Sequence, residues 1–479
     1  MKFYITTAIP YVNAAPHIGH ALEFVQADLI SRWHKLIGDE VCLLSGGDEN
    51  ALKNVQAAEK AGVDVKKYID INSQSFQTLA SELSVDFSVF QKGSDTEKHF
   101  PSSQLLWQLC QKNGDIYKKS YIGQYCVGCE AFYSPEDLNE NGECPEHPGK
   151  KLDTVKEENY FFRLSNYQDQ LIKLITSDQL KIYPDFRKNE VLSFLKEPLH
   201  DISISRTNER ARNWGVPVPD DTSQKIYVWF DALNIYQSGI GFGWDTNNYE
   251  KWWPADVHVI GKGIIRFHAV YWPAFLLSAG LKLPKSLFVH GYFTVNGQKM
   301  SKTLGNVIDP HILITKYQAD SLRYYLLREI PPYADGDFSE KRFQELYNAD
   351  LANGLGNLVA RTAKLASSTE KVIIPKETKF SLLIEKHVQL KKQMGNFRFD
   401  EALKYIFLLI KDCDLYLDKN EPWKKSGEKK SKIINTLIPK ILEIASLLSP
   451  FLPNAAEKIL RQFTHIPIKP EVPIFPRII

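Results

Sequence analysis

At 479 residues the chain is too long for a single hydrophobic core and suits two to four domains. Its hydrophobic fraction of 43% and charged fraction of 24% are ordinary for a soluble globular protein. The apolar stretch "VYWPAFLLSAGL" (270–281) is broken by Pro273 and is too short to span a bilayer, which excludes a membrane-spanning reading.

The formal net charge of +2 conceals an asymmetry. Residues 346–479 carry 22 Lys and Arg against 14 Asp and Glu, whereas residues 1–345 carry 37 against 43. A basic C-terminal third on an acidic body points to a polyanionic partner met at that end, or to a solvated lysine-rich helical surface. The N-terminal "MKFYITTAIPYVNAA" has one lysine, no continuous apolar run, and polar Thr6, Thr7 and Asn13, so it does not read as a signal peptide. Three of the six cysteines, Cys42, Cys110 and Cys413, are isolated, which suits a reducing compartment; the expected location is cytoplasmic.

The chain opens with alternating strand and helix signals. "KFYITTAI", "EVCLLSGG" and "VDFSVF" read as strands, with helical stretches such as 16–37 and 64–83 between them. This alternation predicts an α/β fold with a parallel sheet and crossover helices. Residues 116–215 change to short strands, turns and a cysteine cluster, and read as an insertion. The α/β pattern resumes with "KIYVWFDAL" (225–233), "DVHVIG" (256–261), a helix over 264–279, and "LFVHGY" (287–292). From about 315 the strands are expected to stop. "ADSLRYYLLREI", "LANGLGNLVARTAKLA", "FDEALKYIFLLIKDC" and "INTLIPKILEIASLL" carry apolar residues at helical spacing, which predicts an all-α bundle. The proline-rich, apolar tail "KPEVPIFPRII" is expected to lie extended across a neighbouring surface.

Three constellations can carry chemistry. "AAPHIGHALEF" (14–24) sets His17 and His20 where a helix begins after the first strand. Ligands in such folds sit at the carboxyl ends of the strands, and a helix N-terminus favours a phosphate there. Histidines three apart can both face that ligand and donate to a charge that grows in a transition state. Far downstream, "NGQKMSKTLGN" (296–306) brackets Lys299 and Lys302 between Gly297 and Gly305, a loop suited to a polyphosphate leaving group. Finally, Cys126-x2-Cys129 and Cys144-x2-His147 have the spacing of a structural, tetrahedral zinc site.

Together, "HIGH" (17–20) and "KMSKT" (299–303) resemble the two signatures of class I aminoacyl-tRNA synthetases. Further stretches, among them "TTAIPYVNAAPHIGHALEFVQAD", "SGGDENALK", "YVWFDALNIY", "VIGKGIIRFHAVYWPA", "GLGNLVAR", "EPW" and "FPRI", resemble the methionyl-tRNA synthetase branch over essentially the whole chain. The resemblance implies activation of L-methionine by ATP and transfer to tRNA(Met), for translation initiation and elongation. It implies catalysis by His17, His20, Lys299 and Lys302, with ATP held by His17, Gly19, His20 and Lys302 and with Mg²⁺ on the phosphates. The methionine pocket falls on Ile9, Tyr11, Asp48, Trp229, Ala232, Tyr236, Ile264, Phe267 and His268. In that pocket Tyr11 and His268 would contact the sulfur, and Asp48 would accept from the ammonium. Anticodon reading falls on Asn357, Arg361 and Trp423.

The implied domains are a catalytic domain with a Rossmann-type parallel sheet, in two halves (1–115 and 216–292), a connective insertion with one zinc knuckle (116–215), a stem-contact region with the KMSKT loop (293–345), and an all-α anticodon-binding bundle with its extended C-terminal tail (346–479). Four positions depart from the family pattern. The second signature ends in threonine, Asn50 and Ala51 replace a histidine and a glycine of "GTDEHGLK", and Leu233 stands where some relatives have proline. No extra C-terminal tRNA-binding domain follows, so a monomer is expected. A synthetase for isoleucine, valine or leucine would need a large editing insertion, and only 278 residues separate His20 from Lys299. A catalytically silent tRNA-binding relative fits poorly with intact signatures.

Overall fold

The structure is a computed structural model. It describes every residue except 127, 129, 130, 134–137, 151, 301–304, 377 and 479, and it does not describe the side chains of 121, 131, 132, 155 and 299. Lys302 and Cys129, both singled out above, lie outside the described residues, as does the side chain of Lys299.

Six strands form the central sheet: β1 (Lys2–Thr6), β2 (Glu40–Gly47), β3 (Val89–Lys92), β4 (Lys181–Tyr183), β5 (Val257–Gly261) and β6 (Ser286–His290). All pairings are parallel, in the order β3-β2-β1-β5-β6-β4. Parallel strands need cover on both faces, and here adjacent residues of one strand serve opposite cores. Ile5, Leu43, Val259 and Phe288 join one apolar cluster, while Tyr4, Leu44, Ile260 and Val289 join the other. The chain departs in opposite directions from β1 and β5, which are neighbours. Their carboxyl ends therefore flank the crevice where a ligand settles in such a sheet.

The first cluster does not stop at the sheet. It runs through helix α1 (Ile18–Ile37) into the C-terminal helices, among them α2 (Asn357–Ser367), α3 (Phe399–Asn420) and α4 (Gly427–Leu448). Arg323 sits at this junction, fully buried, 2.7 Å from Asp28 of α1. Its remaining donors reach the carbonyls of Leu83, Pro450 and Phe451. A buried guanidinium tolerates such a position only with its donors satisfied, and here the partners come from three separate parts of the chain.

Several elements differ from the sequence expectation. The third strand lies at Val89–Lys92, later than "VDFSVF". Lys181–Tyr183, inside the stretch read as inserted, is an edge strand of the central sheet. "KIYVWFDAL" divides into the end of an antiparallel strand (Asp221–Ile226) and a helix (Val228–Leu233). A three-residue strand, Gly336–Phe338, follows position 315 and pairs with Phe293–Val295. The predicted 264–279 helix is a short 3-10 turn, a π-helical stretch (Phe267–Tyr271) and an α-helix (Trp272–Ser278).

The insertion is built on an antiparallel pair, Ile116–Cys126 with Asp153–Phe162, whose far end carries the cysteine cluster. The described part of the tail packs against the start of the C-terminal helices. Phe475 is buried against Tyr347, and Asn348 exchanges two hydrogen bonds with Ile478. Among the described residues, no helix is long and apolar enough to cross a membrane.

Candidate active site and nucleic-acid interface

His17 is the residue that starts α1. Its backbone is extended and its Nδ1 accepts from the Gly19 N–H at 3.1 Å. In return the His17 N–H donates to His20 Nδ1 at 3.1 Å, so the two imidazoles cap the helix reciprocally. The rings stack 3.9 Å apart at 28°, and His20 also meets Phe76 edge-on. With Nδ1 accepting in both, each neutral ring carries its proton on Nε2. Burial, helped by the neighbouring His17, holds His20 well below the usual imidazole range. The pair thus presents neutral donors at the positive end of a helix.

Gly19 is required by this arrangement, because a Cβ there would come within 2.9 Å of His17 Cε1. The same point lies 3.9 Å from the Met300 Cε of the second signature. The Ile18 N–H donates to the Ile308 carbonyl at 3.1 Å, just beyond that loop. The two signatures, nearly three hundred residues apart in sequence, therefore lie against each other. Lys299 enters this region on a short strand paired with Thr294.

Beside them lies an aromatic cluster. Trp229 stacks on Phe267 at 3.7 Å and 5°, and Tyr11 and His268 both meet Trp229 edge-on. His268 Nδ1–H donates to the Ile264 carbonyl at 2.9 Å, and the Tyr236 hydroxyl donates to His268 Nε2 at 2.8 Å. Burial lowers the His268 imidazole to about 4. Ile9 and Ile264 pack against the same core, and Ala232 is buried. Asp48 pairs with Tyr11 in an isolated bridge, and its N–H donates to the Pro10 carbonyl. A carboxylate is thereby held next to an apolar, aromatic pocket. Such a pocket suits a flexible thioether side chain with an ammonium at its base. The π-helical stretch that carries Phe267 and His268 is a feature frequent at functional sites.

Sequence reasoning missed the network beneath this pocket. Asp231, 1% exposed, accepts from Asn50 at 2.6 Å and from Ser103 at 3.0 Å, and lies 2.6 Å from His99 Nε2. Asn50 also donates to the Gly93 carbonyl, so the residue that departs from the family pattern is an integral member of the network. Glu23 was missed as well. It accepts from the Ala8 N–H and pairs with His290, fastening α1 to the ends of β1 and β6. The available signal was a carboxylate amid the apolar "HALEFVQAD".

In the insertion, the Cys126 and Cys144 sulfurs lie 3.8 and 3.9 Å from His147 Nδ1, and the three ligand atoms fall within 4.8 Å of one another. Ligands of a tetrahedral zinc with one sulfur and one nitrogen stand about 3.6 Å apart, so this donor set fits a thiolate-and-imidazole metal site.

On the bundle, Arg361 of α2 lies 2.8 Å from Asp418 and 3.6 Å from Asp414, and its guanidinium stands 5.5 Å from the Trp423 ring. Burial raises the Asp414 carboxyl to about 6 against the pull of Arg361. Trp423 is 49% exposed, and Asn357 is exposed one turn before Arg361. The three residues form one surface with an open indole.

The comparisons with known proteins agree with this geometry. The family described as "tRNA synthetases class I (M)" matches residues 3–153 and 148–363, and "Anticodon-binding domain of tRNA ligase" matches 380–473. The methionine–tRNA ligase of Thermotoga maritima is 42% identical over 96% of this chain and 75% of its own. That of Brucella melitensis is 38% identical over 99% of this chain and 98% of its own.

The chain belongs to the methionine–tRNA ligase family.

The Mycobacterium tuberculosis methionyl-tRNA synthetase in complex with methionyl-adenylate superposes with a TM-score of 0.90 at 36% identity, over 99% of this chain and 100% of that one. The free form of the same enzyme matches with a TM-score of 0.81 at 33% identity, over 100% of this chain and 98% of that one. As in its ligase relatives, a class I parallel-sheet body is joined to a helical anticodon domain. The class I match contains the stacked histidines, the aromatic pocket and the Cys/His cluster. It also contains Asn357 and Arg361, while Trp423 falls within the anticodon-binding match.

Proposed function

We propose that the protein is a methionine–tRNA ligase that activates L-methionine with ATP and charges both initiator and elongator tRNA(Met) in the cytoplasm as a monomer. The observation that carries this reading is that Met300, in the second signature, comes within 3.9 Å of where a side chain at the ring-capped Gly19 would begin, in a chain that also stacks Trp229 on Phe267. Methionine lies against Ile9, Tyr11, Trp229, Ala232, Tyr236, Ile264, Phe267 and His268, with its ammonium on Asp48. Its carboxylate oxygen attacks the α-phosphorus of ATP in line, the bond to the bridging oxygen breaks, and pyrophosphate leaves with that electron pair.

His17 and His20 donate from Nε2 to the α-phosphoryl oxygens, and the backbone at Gly19 leaves room for the nucleotide. Lys299 and Lys302 neutralise the β- and γ-phosphates. Mg²⁺ supplies further charge neutralisation on the triphosphate. The terminal adenosine hydroxyl of the tRNA then attacks the carbonyl carbon of the adenylate and AMP departs. Cys126, Cys129, Cys144 and His147 hold one structural zinc, which fixes the shape of the insertion. Asn357, Arg361 and Trp423 read the anticodon, one base stacking on the exposed indole. Residues 1–115 and 216–292 act as the two catalytic halves, 116–215 as the connective insertion, 293–345 as the stem-contact region and 346–479 as the anticodon-binding part.

The test is aminoacylation of a tRNA(Met) transcript with radiolabelled methionine. The purified protein is expected to charge this transcript and to fail on one with a replaced anticodon. Equal charging of both transcripts, or none of either, would contradict the reading.

A further inference from the structure

Lys53 lies in the "GGDENALK" stretch, at the start of the helix Leu52–Ala61. Contacts of its ammonium join distant parts of the site. Nζ stands 3.1 Å from the centre of the Tyr11 ring, and it donates to the Gly128 carbonyl at 3.1 Å. Tyr11 is the pocket residue that meets Trp229 edge-on, and Trp229 in turn stacks on Phe267. Gly128 follows the candidate metal ligand Cys126 by two residues. A Cβ at Gly128 would fall 2.7 Å from the Nε2 and Cδ2 atoms of His147, so the His147 ring lies directly over that peptide. A continuous contact path therefore runs from a metal-binding imidazole, through one carbonyl and one ammonium, to the wall of the pocket.

We infer that Lys53 is a positioning residue that couples occupancy of the metal knuckle to the affinity of the methionine pocket. The metal holds Cys126, Cys144 and His147 together and so fixes the turn that presents the Gly128 carbonyl. That carbonyl sets where the ammonium sits, and the ammonium, attracted to the ring face, sets the plane of Tyr11. When the knuckle loosens, the ammonium loses its contact with the Gly128 carbonyl, and the angle at which Tyr11 meets Trp229 shifts. The metal then does more than staple an insertion. Coupling of this kind is reciprocal, so methionine must strengthen metal retention by the factor by which metal strengthens methionine binding.

The inference rests on the methionine and zinc readings above, and its test separates them. Methionine is titrated into the zinc-loaded and chelator-stripped full-length protein, with tryptophan fluorescence as the readout and circular dichroism confirming the fold. In the wild type, stripping is expected to weaken methionine binding about tenfold. Lys53→Met in the zinc-loaded protein gives a similar loss, stripping that variant adds less than about twofold, and Lys53→Arg restores most of the affinity. Saturating methionine is expected to slow chelation of zinc from the wild type and not from Lys53→Met. If Lys53→Met binds methionine as the wild type does, or if its loss multiplies with that of stripping, the relay is wrong while the pocket and metal readings stand. A wild type that binds neither methionine nor zinc overturns those readings and the relay with them.

Discussion

At the scale of single residues, the site relies on imidazoles held neutral by their surroundings. His17 and His20 use Nδ1 to satisfy two backbone donors at the start of α1, and so commit Nε2 to donation. His268 is fixed in the opposite tautomer by the Ile264 carbonyl and accepts from Tyr236. Burial lowers its folded value to about 4, below the roughly 6.5 of an unfolded chain. Between those values the unfolded chain binds the proton and the folded one does not. The contribution to stability is therefore complete above about pH 6.5 and falls as pH drops toward 4. His268→Gln is expected to lose about 2 kcal/mol less stability than the wild type between pH 7 and pH 5, measured by urea unfolding. Equal losses in the two proteins would show that His268 is not a buried neutral imidazole.

The elements show what the sequence made legible and why the rest was hidden. Strand β2 falls on the expected "EVCLLSGG", because a short apolar run closed by two glycines reads as a buried strand with a turn signal at its end. Lys181–Tyr183 escaped because three residues are too short for a period to emerge, and nothing local reveals that Ser286–His290 supplies its partner. "KIYVWFDAL" misled for a related reason: a continuous apolar run fits a buried strand and a buried helix equally well. The paired signatures and the knuckle were legible as local motifs. The Asn50–Asp231–His99 network was not, since its members lie 132 and 181 positions apart and meet only on folding.

Arg361 and Trp423, from different elements, share a surface that the bundle assembles. Stacking of a base on an indole is worth about 1–3 kcal/mol, so Trp423→Ala should raise the KM for tRNA(Met) about tenfold or more. The control is methionine-dependent exchange without tRNA, where no comparable loss is expected. A tRNA KM that stays at the wild-type value would remove Trp423 from the interface.

Across the whole molecule, one apolar cluster runs from the sheet into the helical bundle, and Arg323 pins Asp28 of α1 to the carbonyls that precede the final helix. The helix whose first turn carries His17 and His20 is thus the helix held by the C-terminal part. The basic C-terminal third contains the anticodon-binding match, and a polyanionic partner met at that end would account for the uneven charge seen in the sequence. The parts have a common purpose only if the aromatic pocket and the two signatures act on one amino acid and one nucleotide. Amino-acid-dependent ATP–pyrophosphate exchange, measured separately with each standard amino acid, tests this most directly. Robust exchange with methionine and background rates with the others are expected; exchange driven by a different amino acid, or by none, would contradict a shared methionine and nucleotide site.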